Sequence, residues 1–279
     1  MAERKSIPLR AAPLRLGLPP QAMVTSLAVE LERLALQFER ARDPRCVFAR
    51  SYASMTRVLA ASLPRSDFSD PAWVAQFAVT FGDYYLRALR DYDSGTLVRG
   101  AWSTVFQAGE EGRTSVLEDL LLGMTAHIVN DLPLALCDVG MTTPRGESRI
   151  GDYHTINEVL AHAIEGIQSE ITRRYDRLLG VLDRCAESYD EIVTGYGLRI
   201  SRAGAWYNAQ RLLDPDSRSA AMAAISRSPE ITLHELLDPP LLSLRCALRL
   251  TRILSRTARC WPSALPGHGK VSAFQAIAP

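Results

Sequence analysis

Three side chains capable of chemistry lie inside the most apolar stretch of the chain. Leu120 to Leu136 reads LLLGMTAHIVNDLPLAL, and His127, Asn130 and Asp131 interrupt it. On a helix, His127 and Asp131 stand at i and i+4, so imidazole and carboxylate project from one face about one turn apart. Burying such groups without partners costs roughly 2–7 kcal/mol each. They therefore either satisfy one another in a core or line a cavity. In a cavity, the pair could give one nitrogen and one oxygen to a divalent metal. It could equally hold a histidine tautomer for general-base work.

A second constellation is His154, Glu158, His162 and Glu165. At helical pitch these fall at about 0°, 40°, 80° and 20°, which makes a single polar stripe. If the stripe faces inward, His154 and Glu158 could join His127 and Asp131 around a metal, as carboxylates and imidazoles do in bundle proteins. If it faces outward, it is a solvated face. Asp152 and Asn157 begin the same helix, as a cap and a hydrogen-bonding side chain that could reach the mouth of the central motif. Asp83 beside Tyr84 and Tyr85 is a third candidate, because desolvation by aromatics raises a carboxyl pKa; the alternative is a surface aspartate. Trp73, Trp102 and Trp206 could wall an apolar pocket or simply fill the core.

The elements positioning these residues read as helices throughout. Leu27, Leu31, Leu34 and Phe38 recur at helical steps between about Val24 and Ala41. Asp43-Pro44 and Asp70-Pro71 are helix-start signals. The first opens a helix that stops near Pro64; the second opens a long aromatic one. A short helix is expected at Ala101–Ala108, and the central helix from about Thr114. Pro133 predicts a kink or helix end near Asn130–Leu132. Asp152 is the expected N-cap of a helix reaching about Cys185. Further helices are expected at Tyr189–Leu213 and Ser217–Arg227, with Ser228-Pro229 as a break, and a last one is interrupted by Pro239-Pro240. No period-two strand pattern and no fixed-length repeat occurs. The expected fold is all-α, a single-domain bundle of roughly eight or nine helices over residues 23–260. Residues 1–22 read as a flexible arm and 261–279 as a loose tail.

Composition narrows the function. Of 279 residues, 47% are hydrophobic and 23% charged, with 32 basic against 31 acidic, a net charge of +1. Such a balance gives no field to draw in nucleic acid or an anionic membrane. A basic run (Arg245, Arg249, Arg252, Arg256, Arg259) sits among leucines at helical spacing and reads as a solvated face. The five cysteines contain no CxxC pair, which points to a reducing, cytoplasmic setting. No signal-peptide pattern and no uninterrupted apolar run of membrane-span length is expected. GxGxxG, GxxxxGK[ST], GxSxG and HExxH are all absent, so no nucleotide cofactor and no serine-hydrolase or zincin chemistry is expected.

The segment GMTAHIVNDLPLAL resembles the signature LLGMNAHINxDLPLAL of a bacterial domain-of-unknown-function family common in actinobacteria. Flanking features agree: Cys46 and Phe48 with YxxMT at Tyr52, Met55 and Thr56, FxDPxWV from Phe68 to Val74, Ala101-Trp102, and DYxxIN at Asp152, Tyr153, Ile156 and Asn157. Thr125 stands where that family has Asn, and Val129 also departs from it. The resemblance spans residues 43–185 and implies a helical fold but no reaction. HIVNDLPL is also locally similar to the HxxxD helix of zinc phospholipases C and single-strand nucleases. Their further histidines and tryptophan ligand have no counterparts here, which argues against a trinuclear zinc site.

The sequence therefore points to an enzyme acting on a small, largely apolar molecule within the bundle. His127 would be base or metal ligand, Asp131 would orient it, and Asn130 or Asn157 would supply a polar contact. Cyclisation, dehydration or isomerisation stands beside metal-assisted hydrolysis. The alternative from another class is a non-catalytic helical module in which His127 and Asp131 are a buried structural pair.

Overall fold

A computed structural model describes residues 17–175, apart from 97, 99 and 100, together with residues 195–240 and 245–253 apart from 247. Nine α-helices account for most of them, and no β-strand occurs among the described residues. They are α1 (Pro20–Ala41), α2 (Cys46–Ser62), α3 (Pro71–Asp93), α4 (Ala101–Glu110), α5 (Val116–Thr125), α6 (Leu132–Val139), α7 (Ile150–Tyr175), α8 (Gly195–Leu213) and α9 (Arg218–Leu237). The expected loose tail and the expected helix ends near Cys185 and Tyr189 lie outside the described residues. Helix α1 starts at Pro20, inside the span expected to be an arm.

The helix starts follow the sequence signals only in part: α2 opens at Cys46 with Arg45 at its N-cap and no side-chain cap, because the Asp43 carboxylate, expected as the cap, is engaged by the Arg45 N–H and guanidinium instead. The Asp70 carboxylate accepts the Trp73 N–H at 2.9 Å, capping α3 with Pro71 in its first turn. Ser115 and Glu118 form a reciprocal capping box at the head of α5, satisfying two N–H groups that a helix otherwise leaves open. Asp152 differs from expectation. It lies in the first turn of α7, and its carboxylate accepts the N–H groups of Ser69 and Asp70 at 2.7 and 2.9 Å. It therefore pins the loop that precedes α3. The expected break at Ser228-Pro229 is also absent, since α9 continues through Pro229. Burial of Ala221 and Ile225 before the proline and Leu233 after it holds both halves in place, outweighing the lost backbone bond.

Between α5 and α6 the central helix does not stop. Residues Ala126–Asp131 form a π-helical turn, with the Leu132 N–H bonded to the His127 carbonyl five residues back. Pro133 explains it. The proline has no N–H, and its ring would strike the carbonyl four residues earlier in an α-helix. Widening the preceding turn relieves both problems. What the sequence marks as a kink or end is thus a π turn inside one continuous helix. That helix, Val116–Val139, is long and apolar enough to cross a membrane by length and composition, and 67% of its most apolar window is buried within the fold. Counting uninterrupted apolar residues misses it because His127, Asn130 and Asp131 break the run.

The other helices enclose this element. Helix α2 packs on α5, while α3, α4, α8 and α9 all reach the π turn. Two large apolar cores result, beside a small third cluster of Leu212, Ala221 and Ile225. One contains Phe48, Tyr85 and Trp102, the other Phe77, Phe81 and Ile128, and Tyr52 and Met124 pack against both. Arg252, expected on a solvated face, instead bonds the Glu118 carboxylate, with Nε to Oε1 at 2.9 Å, and so ties the C-terminal segment to the head of α5. Helix α5 approaches α2 so closely that a Cβ at Gly123 would lie 2.5 Å from the Phe48 ring. Gly123→Ala is therefore expected to cost about 1–3 kcal/mol by overpacking, read as a lower urea midpoint with unchanged m-value.

Candidate functional site

The π turn delivers His127 and Asp131 to the seam between the two cores. Their side chains are almost wholly buried, at 4% and 3% exposure, and His127 Nδ1 lies 3.0 Å from Asp131 Oδ2. The same oxygen accepts the Trp102 indole N–H at 2.8 Å, and Oδ1 accepts the Asn130 amide at 2.7 Å. With the indole and the amide already donating, the carboxylate is served best by a third donor, so Nδ1 carries the hydrogen. The lone pair of the neutral ring then sits on Nε2. That atom is buried and has no hydrogen-bond partner among the described residues.

Aromatic rings enclose the imidazole. Phe81 stacks on it at 3.6 Å between centroids, Tyr52 meets it edge-on at 4.6 Å, and Phe48, Tyr85 and Trp102 complete the cage at 5.8, 6.1 and 6.1 Å. Burial holds the His127 pKa below its ordinary value of 6.5; hydrogen bonding and attraction from Asp131 oppose that shift, and the charge of Arg202 adds to it. Burial also raises the Tyr52 phenol, with the Asp131 charge assisting, so Tyr52 remains a donor at neutral pH. A cavity of about 20 Å³, room for a water molecule, adjoins the cage. Phe48, Tyr85 and Trp102 line it together with Arg45 and Asp119, and His127 does not.

The sequence candidates separate into two groups. His127, Asn130 and Asp131 come together as a hydrogen-bonded unit. Asn157 is buried on α7, and its Oδ1 accepts from Arg202 Nε. Asp83 is not part of the site; it pairs with Arg87 at 3.0 Å and Arg90 at 3.4 Å on the outer side of α3. His154, Glu158 and His162 are solvent-exposed, so the stripe faces outward. The expected metal set of His127, Asp131, His154 and Glu158 is therefore not assembled, and no group of three or more His, Cys, Asp or Glu side chains suited to a metal occurs among the described residues. The side chain of Glu165 lies outside them. Sequence reasoning missed Arg202, which no short motif marks, and the roles of Tyr52 and Phe48, whose spacing on α2 is simply that of a core face.

Two measurements check this geometry. Trp102→Phe removes one of three donors from a buried carboxylate and is expected to cost about 1–3 kcal/mol in urea unfolding. The lowered His127 pKa also sets a pH dependence. The unfolded chain takes up the proton first as pH drops below about 6.5, so this contribution to stability is complete above that pH and is lost as pH falls toward the folded value. Its slope cannot exceed about 1.4 kcal/mol per pH unit, and His127→Asn should flatten the acid limb of the stability profile relative to wild type.

Comparison with known proteins adds the family. No curated protein and no solved structure matches the chain. One family model does, described as "Family of unknown function (DUF5995)", over residues 24–239. That span runs from the first turns of α1 past the end of α9, and so includes the π turn and its cage. The chain belongs to the DUF5995 family.

Proposed function

We propose that this protein is an enzyme that acts on a small, largely apolar molecule by proton transfer at His127 Nε2. One observation carries the reading: a buried imidazole nitrogen with no partner, on a ring whose other nitrogen is clamped by Asp131. A purely structural pair has no use for an orphaned Nε2, which costs about 1–3 kcal/mol of lost solvation. A base needs that lone pair free. Asp131 would fix the tautomer and stabilise the imidazolium formed when Nε2 takes a proton from substrate. The proton then returns to another atom of the same molecule, which completes an isomerisation or cyclisation, or leaves with water in a dehydration. Tyr52, half-buried with its ring 4.6 Å from the imidazole and its phenol protonated at neutral pH, would serve as the donor to the developing negative charge. Nδ1 and Oδ2 face each other rather than a common third point, so this pair does not chelate one metal between them, and no group of three or more His, Cys, Asp or Glu among the described residues accompanies Nε2. A cytoplasmic enzyme with a small-molecule partner and no nucleic-acid partner fits the net charge of +1.

A second reading, a non-catalytic helical module, is favoured by the close stacking of Phe81 on the imidazole and by a neighbouring cavity that stops short of it. One experiment separates the two. Wild type and His127→Asn are each incubated with a cell metabolite extract, followed by mass spectrometry and by thermal unfolding. The enzyme reading expects compounds converted by wild type alone, with the two melting temperatures within about 2–4 °C. Identical extracts after both incubations, together with a variant several degrees less stable, would leave the pair as scaffold.

A further inference from the structure

Helix α8 carries a second set of unsatisfied polar groups, on a different wall of the interior from His127. Arg202 is only 3% exposed and Trp206 5%. They stand at i and i+4, one above the other on one helix face. Both lie against the ring of Tyr153, with the guanidinium carbon 5.0 Å from its centroid and the indole 4.9 Å. Tyr153 in turn anchors this turn of α8, donating its hydroxyl to the Arg202 carbonyl at 2.7 Å. Arg202 Nε is held by Asn157. Beyond that bond, Arg202 Nη2 and Trp206 Nε1 are buried donors with no acceptor among the described residues. Nor does Arg202 make an ion pair with any described carboxylate. The other buried arginines do: Arg45 with Asp43 and Asp93, Arg50 with Glu39.

A buried guanidinium without a counter-charge is among the least favourable things a core can hold. Three features make it specific: it is oriented through Nε, its outer edge is left open, and a second N–H sits one turn away. Two unpaired donors on one helix face and one positive charge without an ion-pair partner are the complement of a monoanion with planar oxygens. We propose that Arg202 and Trp206 form a recognition site for the carboxylate of a small organic acid, with Asn157 as the residue that positions the guanidinium. A phosphate dianion would bring more charge and more acceptors than this pair can meet. The charge of Arg202 also depresses the His127 pKa, so an anion bound there would relieve that effect. That the acid is the substrate of His127 rests on the function proposed above; the carboxylate site itself stands on α8 and α7 alone.

The test uses phenylacetate and benzoate, with phenylacetamide and inorganic phosphate as controls, against the full chain in thermal unfolding and calorimetry. The carboxylates are expected to raise the melting temperature of wild type by at least about 3 °C at saturation, and the amide is not. Arg202→Met should abolish that shift, and without ligand should melt no lower than wild type, because the isolated charge is gone. Trp206→Phe, which keeps the packing and removes one donor, should weaken binding about tenfold. No shift with either acid overturns the proposal, and so does an equal shift with phosphate. An Arg202→Met protein that is destabilised or unfolded while Trp206→Phe binds like wild type also overturns it, leaving Arg202 as a packing residue. His127→Asn is expected to bind the acids as wild type does. Intact binding in that variant alongside unaltered turnover would remove the catalytic reading and leave the carboxylate site standing.

Discussion

A single carboxylate sets the geometry of this interior. Asp131 sits in a region of leucine, phenylalanine and tryptophan and would be intolerable there alone. Three N–H donors make it tolerable, from the indole of α4, the amide of its own turn and the imidazole one turn back. Each of those bonds also does positional work. The indole draws α4 onto the central helix, the amide fixes the π turn from within, and the imidazole is set in one tautomer with its far nitrogen aimed away from the acid. Satisfaction of one buried charge is thereby converted into the orientation of one imidazole.

The aromatic cage then controls what that imidazole experiences. Burial among the rings outweighs the pull of Asp131 and keeps the imidazole neutral, and a neutral ring is what leaves a lone pair on Nε2. The cage is built from α2, α3 and α4, and draws on both apolar cores, so the imidazole lies where the two cores meet. The narrow approach of α5 to α2 at Gly123 fixes the Phe48 wall from behind.

Much of the fold was legible in the sequence. Leucine spacing, the Asp70-Pro71 start and the aromatic run of α3 placed the early helices, because these signals are local, although α1 begins four residues before the expected Val24 and α2 opens past Asp43-Pro44 at Cys46. The central motif was legible for the same reason: polar groups in a greasy run are visible without any fold. The stripe at His154, Glu158 and His162 was ambiguous, since helical spacing tells which residues share a face but not which face turns inward. The fate of Asp152 and the burial of Arg202 were hidden. Both depend on partners far along the chain, and no periodicity encodes those. Pro229 misled because a proline marks a helix end only where nothing else holds the two halves together.

The π turn also makes chain length matter at one place. Six residues there do the work that an α-helix would do with fewer, and the surplus sets the rotational phase of everything from Leu132 onward. Loss of one residue between Ala126 and Asp131 would remove that surplus and close the turn to α pitch, driving the Pro133 ring toward the carbonyl four residues back and moving the carboxylate relative to the imidazole, while leaving composition and hydropathy almost unchanged. A swap of one apolar residue for another along this helix leaves that arrangement in place, while an insertion or deletion of a single position at the bend would take the carboxylate and the imidazole out of register.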